Sequence, residues 1–178
     1  MQLAEPVVAS WKASLSLRFQ NVGGKTILSE RDSDGPLVVQ KPLYPEGPGH
    51  CHAIVVHPPG GIAGGDELAL WAKVEEDSST LLTTPGAAKW YRSAGPWARQ
   101  KLSFDVAGTL EWLPRETIIF DGALAALECE VRLSDAACYT RWEIVCLGRT
   151  GSGERFTRGT VRPATRGVRA QKIRCVGG

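Results

Sequence analysis

Apolar and polar residues alternate with a period of two along most of this chain. Trp11, Ala13, Leu15, Leu17 and Phe19 are interleaved with Lys12, Ser14, Ser16, Arg18 and Gln20, the pattern of a strand with one buried face. Leu68, Leu70, Ala72 and Val74 repeat it, as do Leu102, Phe104 and Val106, and then Leu127, Cys129, Val131 and Leu133. Shorter strands are expected over 26–29, 37–40, 51–56, 79–84, 110–113 and 117–120, and one long strand over 138–147. The Pro/Gly-rich stretches 42–49 and 85–98 read as irregular. No amphipathic helix of useful length is visible, nor any repeat of fixed period. About ten strands without βαβ alternation predict an all-β fold, a multi-stranded sandwich or barrel-like stack of sheets with few or no helices.

Charge divides the chain. The last 24 residues, from Arg155, hold seven of the 21 Lys and Arg residues and none of the 19 acids. They are net +7 and the preceding body is net −5. The basic segment shows no period of two or 3.6. Two parts are therefore expected: a β-rich body over 1–154 and a basic tail over 155–178 that is disordered. Nucleic-acid binding is not expected, because the tail lacks interleaved aromatic residues beyond Phe156. The longest aliphatic run, Ala53 to Val56, is too short to span a bilayer. The N-terminus lacks the basic and apolar regions of a secretory signal. Five cysteines without a dense framework point to a reduced, cytoplasmic compartment.

The densest segment is HPPGGIAGGDEL, His57 to Leu68. Its glycines permit positive φ or close approach to the backbone, so the loop positions something. It is not a dinucleotide fingerprint, because the spacing is G-G-x-x-G-G and a strand follows. Nor is it a P-loop: Gly24-Lys25-Thr26 ends that pattern, but Phe19 stands where its first glycine belongs. Asp66, at the mouth of the loop, is expected to be an exposed carboxylate. All three histidines lie close by, at 50, 52 and 57. In an extended strand His50 and His52 face one way and Cys51 the other. Imidazole with carboxylate suits Ni, Zn, Cu or Fe, so His52, His57 and Asp66 form a candidate metal site. One function class open at this point is a small β-sandwich metalloenzyme using these three residues. Cys51 is the only candidate thiol nucleophile. A second dense segment, TTPGAAKWYRS, sets Lys89, Trp90, Tyr91 and Arg92 past a Pro-Gly turn. An aromatic and basic cluster on a loop is a candidate partner surface.

Seven segments taken in order, WKASLSLRF, GGKT, GPLVVQKPLYPEG, HPPGGIAGGDEL, TTPGAAKWYRS, LEWLPRETIIF and CLGR-x-x-x-GERF-x-x-G, span 11–159 and resemble the urease accessory protein family UreD, also called UreH. The resemblance implies a cytoplasmic maturation factor that is not an enzyme, a nickel-insertion chaperone. It implies binding to the urease apoprotein and to UreF, and to UreG through UreF. It also implies transient nickel with no permanently bound cofactor. The implied fold is an all-β, barrel- or helix-like stack of sheets with C-terminal helices. Asp66 matches the family's GGD carboxylate, associated with an internal nickel passage. Glu143 falls where a carboxylate follows Trp, and Ala88 falls where some members carry a hydroxyl. Family chains run on by roughly another hundred residues, so this chain resembles their N-terminal portion.

Overall fold

The computed structural model describes residues 10–169. In chain order the strands are β1 (Lys12–Val22), β2 (Lys25–Asp34), β3 (Val38–Val39), β4 (His50–Val56), β5 (Glu67–Val74), β6 (Ser79–Thr83), β7 (Ala88–Trp90), β8 (Ala98–Val106), β9 (Thr109–Trp112), β10 (Thr117–Ile119), β11 (Leu124–Leu133), β12 (Cys138–Arg141), β13 (Val145–Leu147) and β14 (Thr160–Arg169). Among the described residues the only helical element is a 3-10 turn, Thr150–Ser152. The all-β stack of sheets expected from the alternation is what forms.

The pairing adds what alternation alone does not show. The three sheets run β14-β11-β8-β5-β1-β2, β12-β9-β6-β4-β3 and β13-β10-β7. Between these strands only β1 with β2 and β3 with β4 pair antiparallel. All the others are parallel. The chain visits the sheets in rotation: β5, β6, β7, then β8, β9, β10, then β11, β12, β13, and β14 returns to the first sheet. It is a three-sided solenoid. Parallel neighbours need a crossover, and here the other two sides of each turn supply it in place of a helix.

Register stacks the inward residues of each turn into ladders. Leu15, Leu70, Leu102 and Cys129 are aligned, as are Leu17, Ala72, Phe104 and Val131. All eight are buried. Phe104 is fully enclosed against Trp112 and Tyr139, with ring centroids at 5.8 and 6.1 Å. Each turn covers only its neighbours, and among the described residues β14 covers β11 of the last turn but nothing pairs with the outer edges of β12 and β13. Leu147 continues the row of Trp90 and Ile119, yet is 52% exposed where they are 1% and 0%.

Three local expectations are corrected. The irregular stretch 85–98 contains β7, and the long strand at 138–147 is broken into β12 and β13. The basic tail expected to be disordered from 155 contributes β14, which pairs with β11 along its whole length, Leu124 with Thr160 through Leu133 with Arg169. The positions of β14 aligned with buried Cys129 and Val131 are Thr165 and Gly167. Val161 alone packs against the core, so the strand is held mainly by backbone pairing and by arginines. Arg169 donates to the carbonyls of Ser134, Asp135 and Ala137, and Arg162 stacks 4.1 Å from the Trp97 ring centroid. Residues 170–178 of the expected tail lie outside the described residues.

Candidate metal centre

The glycine loop forms the third side of the first turn. Ile62 bridges Trp90 in parallel. The Ile62 amide donates to the Lys89 carbonyl at 2.7 Å, and the Tyr91 amide donates to the Ile62 carbonyl at 2.9 Å. This pairing presses the loop against the Tyr91 ring, and a Cβ at Gly61 would lie 2.1 Å from that ring. Gly65 has φ +96°, which only glycine adopts freely.

Asp66 is buried, 2% exposed, which corrects the expectation of an exposed carboxylate. Oδ1 accepts from the Trp11 amide at 2.8 Å, and Oδ2 accepts from the Ala63 amide at 2.7 Å. One oxygen thus ties the glycine loop to itself and the other ties it to the entry of β1. Both oxygens serve the backbone.

His57 shares this loop. Its Nε2 is buried and has no hydrogen-bond partner. Burial lowers its basicity, and the nearby Asp66 charge pulls weakly the other way. The ring therefore favours its neutral form, which is the form that ligates metals. His57 lines a largely apolar cavity of about 180 Å³, together with Leu68, Thr84, Ala88, Gln100 and Trp112. Ala88 does face this cavity, and its methyl brings no hydroxyl there.

His52 stands apart from His57. Four residues of β4 lie between them, and five steps along the chain span about 16 Å at the usual strand rise. The trio His52, His57 and Asp66 is therefore not assembled around one point, which corrects the metalloenzyme site expected from the sequence. His52 instead meets Glu46 and His50, and one ligand atom from each lies within 4.8 Å of the others. His50 and His52 are half-buried on the outer face of β4, whereas Cys51 between them is fully buried. Burial pushes the Cys51 thiol up and the adjoining Tyr44 hydroxyl up to about 12. Cys51 is a core thiol and not a nucleophile.

The remaining candidates are dispersed. Glu143 is exposed beyond β12 and paired with Arg141 at 2.7 Å. Two strands separate β12 from β4, so at about 4.8 Å per strand Glu143 cannot share an ion with His52. Trp90 is 1% exposed and belongs to the core, so it is removed from the candidate partner surface. Lys89, Tyr91 and Arg92 remain exposed, with Tyr91 set edge-on to Phe120 at 5.0 Å.

Asp121 was not among the sequence candidates. Its Oδ1 accepts from the Thr157 and Arg158 amides at 2.7 and 2.9 Å and from the Thr157 hydroxyl at 3.0 Å. It fastens the connection into β14. Those backbone bonds, led by Thr157, hold its carboxyl down at about 2. A carboxylate with a depressed value stabilises the fold above its ordinary range and loses that contribution on acidification. Protection of the Thr157 and Arg158 amides should therefore fall between about pH 4 and 2, before the amides of β5 and β8 exchange. Hydrogen exchange checks this, and Asp121→Asn should abolish the pH dependence. Unchanged protection down to pH 2 would contradict it.

The family model described as UreD urease accessory protein matches residues 12–176, a span that includes β14. A urease accessory protein UreD of Dechloromonas aromatica (strain RCB) is 55% identical over 152 residues, 84% of this chain and 53% of the relative. The UreD of Azoarcus sp. (strain BH72) is 49% identical over 158 residues, covering 88% and 55%. That of Janthinobacterium sp. (strain Marseille) is 51% identical over 164 residues, covering 91% and 55%. The chain spans about half the length of the curated relatives it matches, and those relatives carry the name of accessory proteins, not of enzymes. By the extent of this match, the chain belongs to the UreD family of urease accessory proteins.

Proposed function

We propose that this chain acts in urease maturation as a cytoplasmic nickel-insertion chaperone. It binds the urease apoprotein and UreF, reaches UreG through UreF, and passes nickel towards the urease active site. Nickel is cargo, and no cofactor is permanently bound. The observation that carries the reading is the match to UreD accessory proteins along nearly the whole chain, at about half-identity. None of the helices among the described residues is long and apolar enough to cross a membrane.

The cavity beside His57 supports a passage. Its volume of about 180 Å³ admits a hydrated ion, and the Nε2 of half-buried His57 is itself buried and without a hydrogen-bond partner. A largely apolar wall with His57 as its one imidazole, and with Thr84, Lys89 and Gln100 as its other polar side chains, holds nickel weakly, which suits transfer better than storage. Asp66 serves this route by fixing the glycine loop and by placing a negative charge near His57. Glu143 and His52 lie on the outer surface, as stations outside the cavity. Lys89, Tyr91 and Arg92 present the partner surface. A pull-down with the tagged chain should retain both apo-urease and UreF, and Lys89→Glu with Arg92→Glu should weaken retention. Loss of both partners from the unmodified chain would reject the reading.

A further inference from the structure

We propose that Glu46, His50 and His52 form a surface binding site for a divalent transition-metal ion of the nickel, zinc and copper class. The site stands on its own geometry and does not depend on the maturation role. It is separate from the His57 cavity.

The local fold assembles it. Residues 42–49 turn back on β4: the Leu43 amide donates to the His52 carbonyl and the His52 amide to the Leu43 carbonyl, both at 2.9 Å. A turn closed by the Gly47 amide on the Tyr44 carbonyl sets Glu46 above the strand. The alternation of β4 puts His50 and His52 on the same outer face, with ring centroids 4.9 Å apart and planes at 86°. β6 pairs with β4 along both histidines, His50 with Ser79 and His52 with Leu81, and Leu43 bridges His52 from the other side, so the two imidazoles are held on a rigid element.

The chemistry of each group fits. His50 Nδ1 shares a hydrogen bond with the Ser79 hydroxyl at 2.7 Å. That bond fixes the ring and leaves Nε2 as the ligand atom, the outer-sphere arrangement that metal-binding histidines use. His52 Nε2–H donates to Glu46 Oε1 at 2.8 Å. An ion entering here replaces the hydrogen at Nε2, which the neutral ring then carries at Nδ1, and is bound by the imidazole nitrogen and the carboxylate oxygen together. Two imidazoles and one carboxylate select borderline ions over magnesium or calcium, which prefer all-oxygen shells. Three protein ligands leave positions open to water, so the ion is exchangeable and not structural. Glu46 is 64% exposed, and His52 is 19% exposed, so an ion can reach the site from solution.

The test uses the full chain, freed of metal by a chelator, in equilibrium dialysis against Ni²⁺, Zn²⁺ and Mg²⁺. Ni²⁺ and Zn²⁺ should bind in a near one-to-one ratio and Mg²⁺ should not compete. His50→Ala and His52→Ala should each weaken Ni²⁺ binding by at least about tenfold, and Glu46→Gln should weaken it to a lesser degree. Glu76→Gln, at an exposed turn, should leave it unchanged. A second measurement needs no variant: Ni²⁺ should protect His50 and His52 of the unmodified chain from diethyl pyrocarbonate. Undiminished Ni²⁺ binding by a folded His50→Ala/His52→Ala double variant would overturn the site, as would equal labelling with and without the ion.

Discussion

Alanine at position 66 is expected to lower the stability of the chain by about 3 kcal/mol. The substitution removes the acceptor of two backbone amides, those of Trp11 and Ala63, from a position 2% exposed to solvent. A donor left without a partner in a buried setting costs about 1–3 kcal/mol, and because both bonds here are part-buried the lower half of that range applies to each. For a chain of this size the melting temperature should fall by about 6–12 °C. Asp66→Asn keeps one acceptor oxygen but turns an NH₂ towards the other amide, so its effect should lie between alanine and the native residue. Thermal unfolding followed by circular dichroism checks the order. A loss of less than about 0.5 kcal/mol for Asp66→Ala, the usual size for a surface change, would contradict the anchoring role. The result also governs any activity assay of Asp66 variants: lost urease activation has to be compared at matched fractions of folded protein.

Much of the fold is legible in the sequence where burial alternates. β1, β5, β8 and β11 are all marked by period-two patterns, because each buries one face in the solenoid core. The parallel stacking is not legible. Alternation reports which face of a strand is buried, not which strand lies beside it. The first-sheet strands begin at Glu67, Ala98, Leu124 and Thr160, at unequal intervals, so no period appears. β14 is invisible for a related reason. Its partners are the backbone of β11 and a set of carbonyls for its arginines, and neither leaves an apolar pattern.

The candidate site is partly legible. The glycine loop is recognisable because close backbone approach and positive φ demand glycine, as the Tyr91 ring above Gly61 illustrates. That His50 and His52 face one way follows from strand geometry alone. The burial of Asp66 does not, because nothing local announces that the Trp11 amide, 55 residues away, claims its oxygen. Glu46 is missed because it sits in a Pro/Gly-rich stretch that reads as irregular. The hairpin that carries it over β4 is set by backbone bonds between Leu43 and His52. Trp90 is misplaced onto the surface because its neighbours Lys89, Tyr91 and Arg92 are exposed, whereas the strand period turns Trp90 alone inward.

The proposed maturation role leads to the prediction with the largest biological effect. Cells that carry urease and its other accessory genes but lack their own UreD should produce inactive urease at fixed nickel. Expression of this chain should restore activity, while the purified chain alone should show no turnover of urea. The direct measurement is urease specific activity together with the nickel content of the purified urease, with and without the chain. The account predicts that both rise together when the chain is present. Urease that stays nickel-free and inactive, although the chain is folded and abundant, would contradict it.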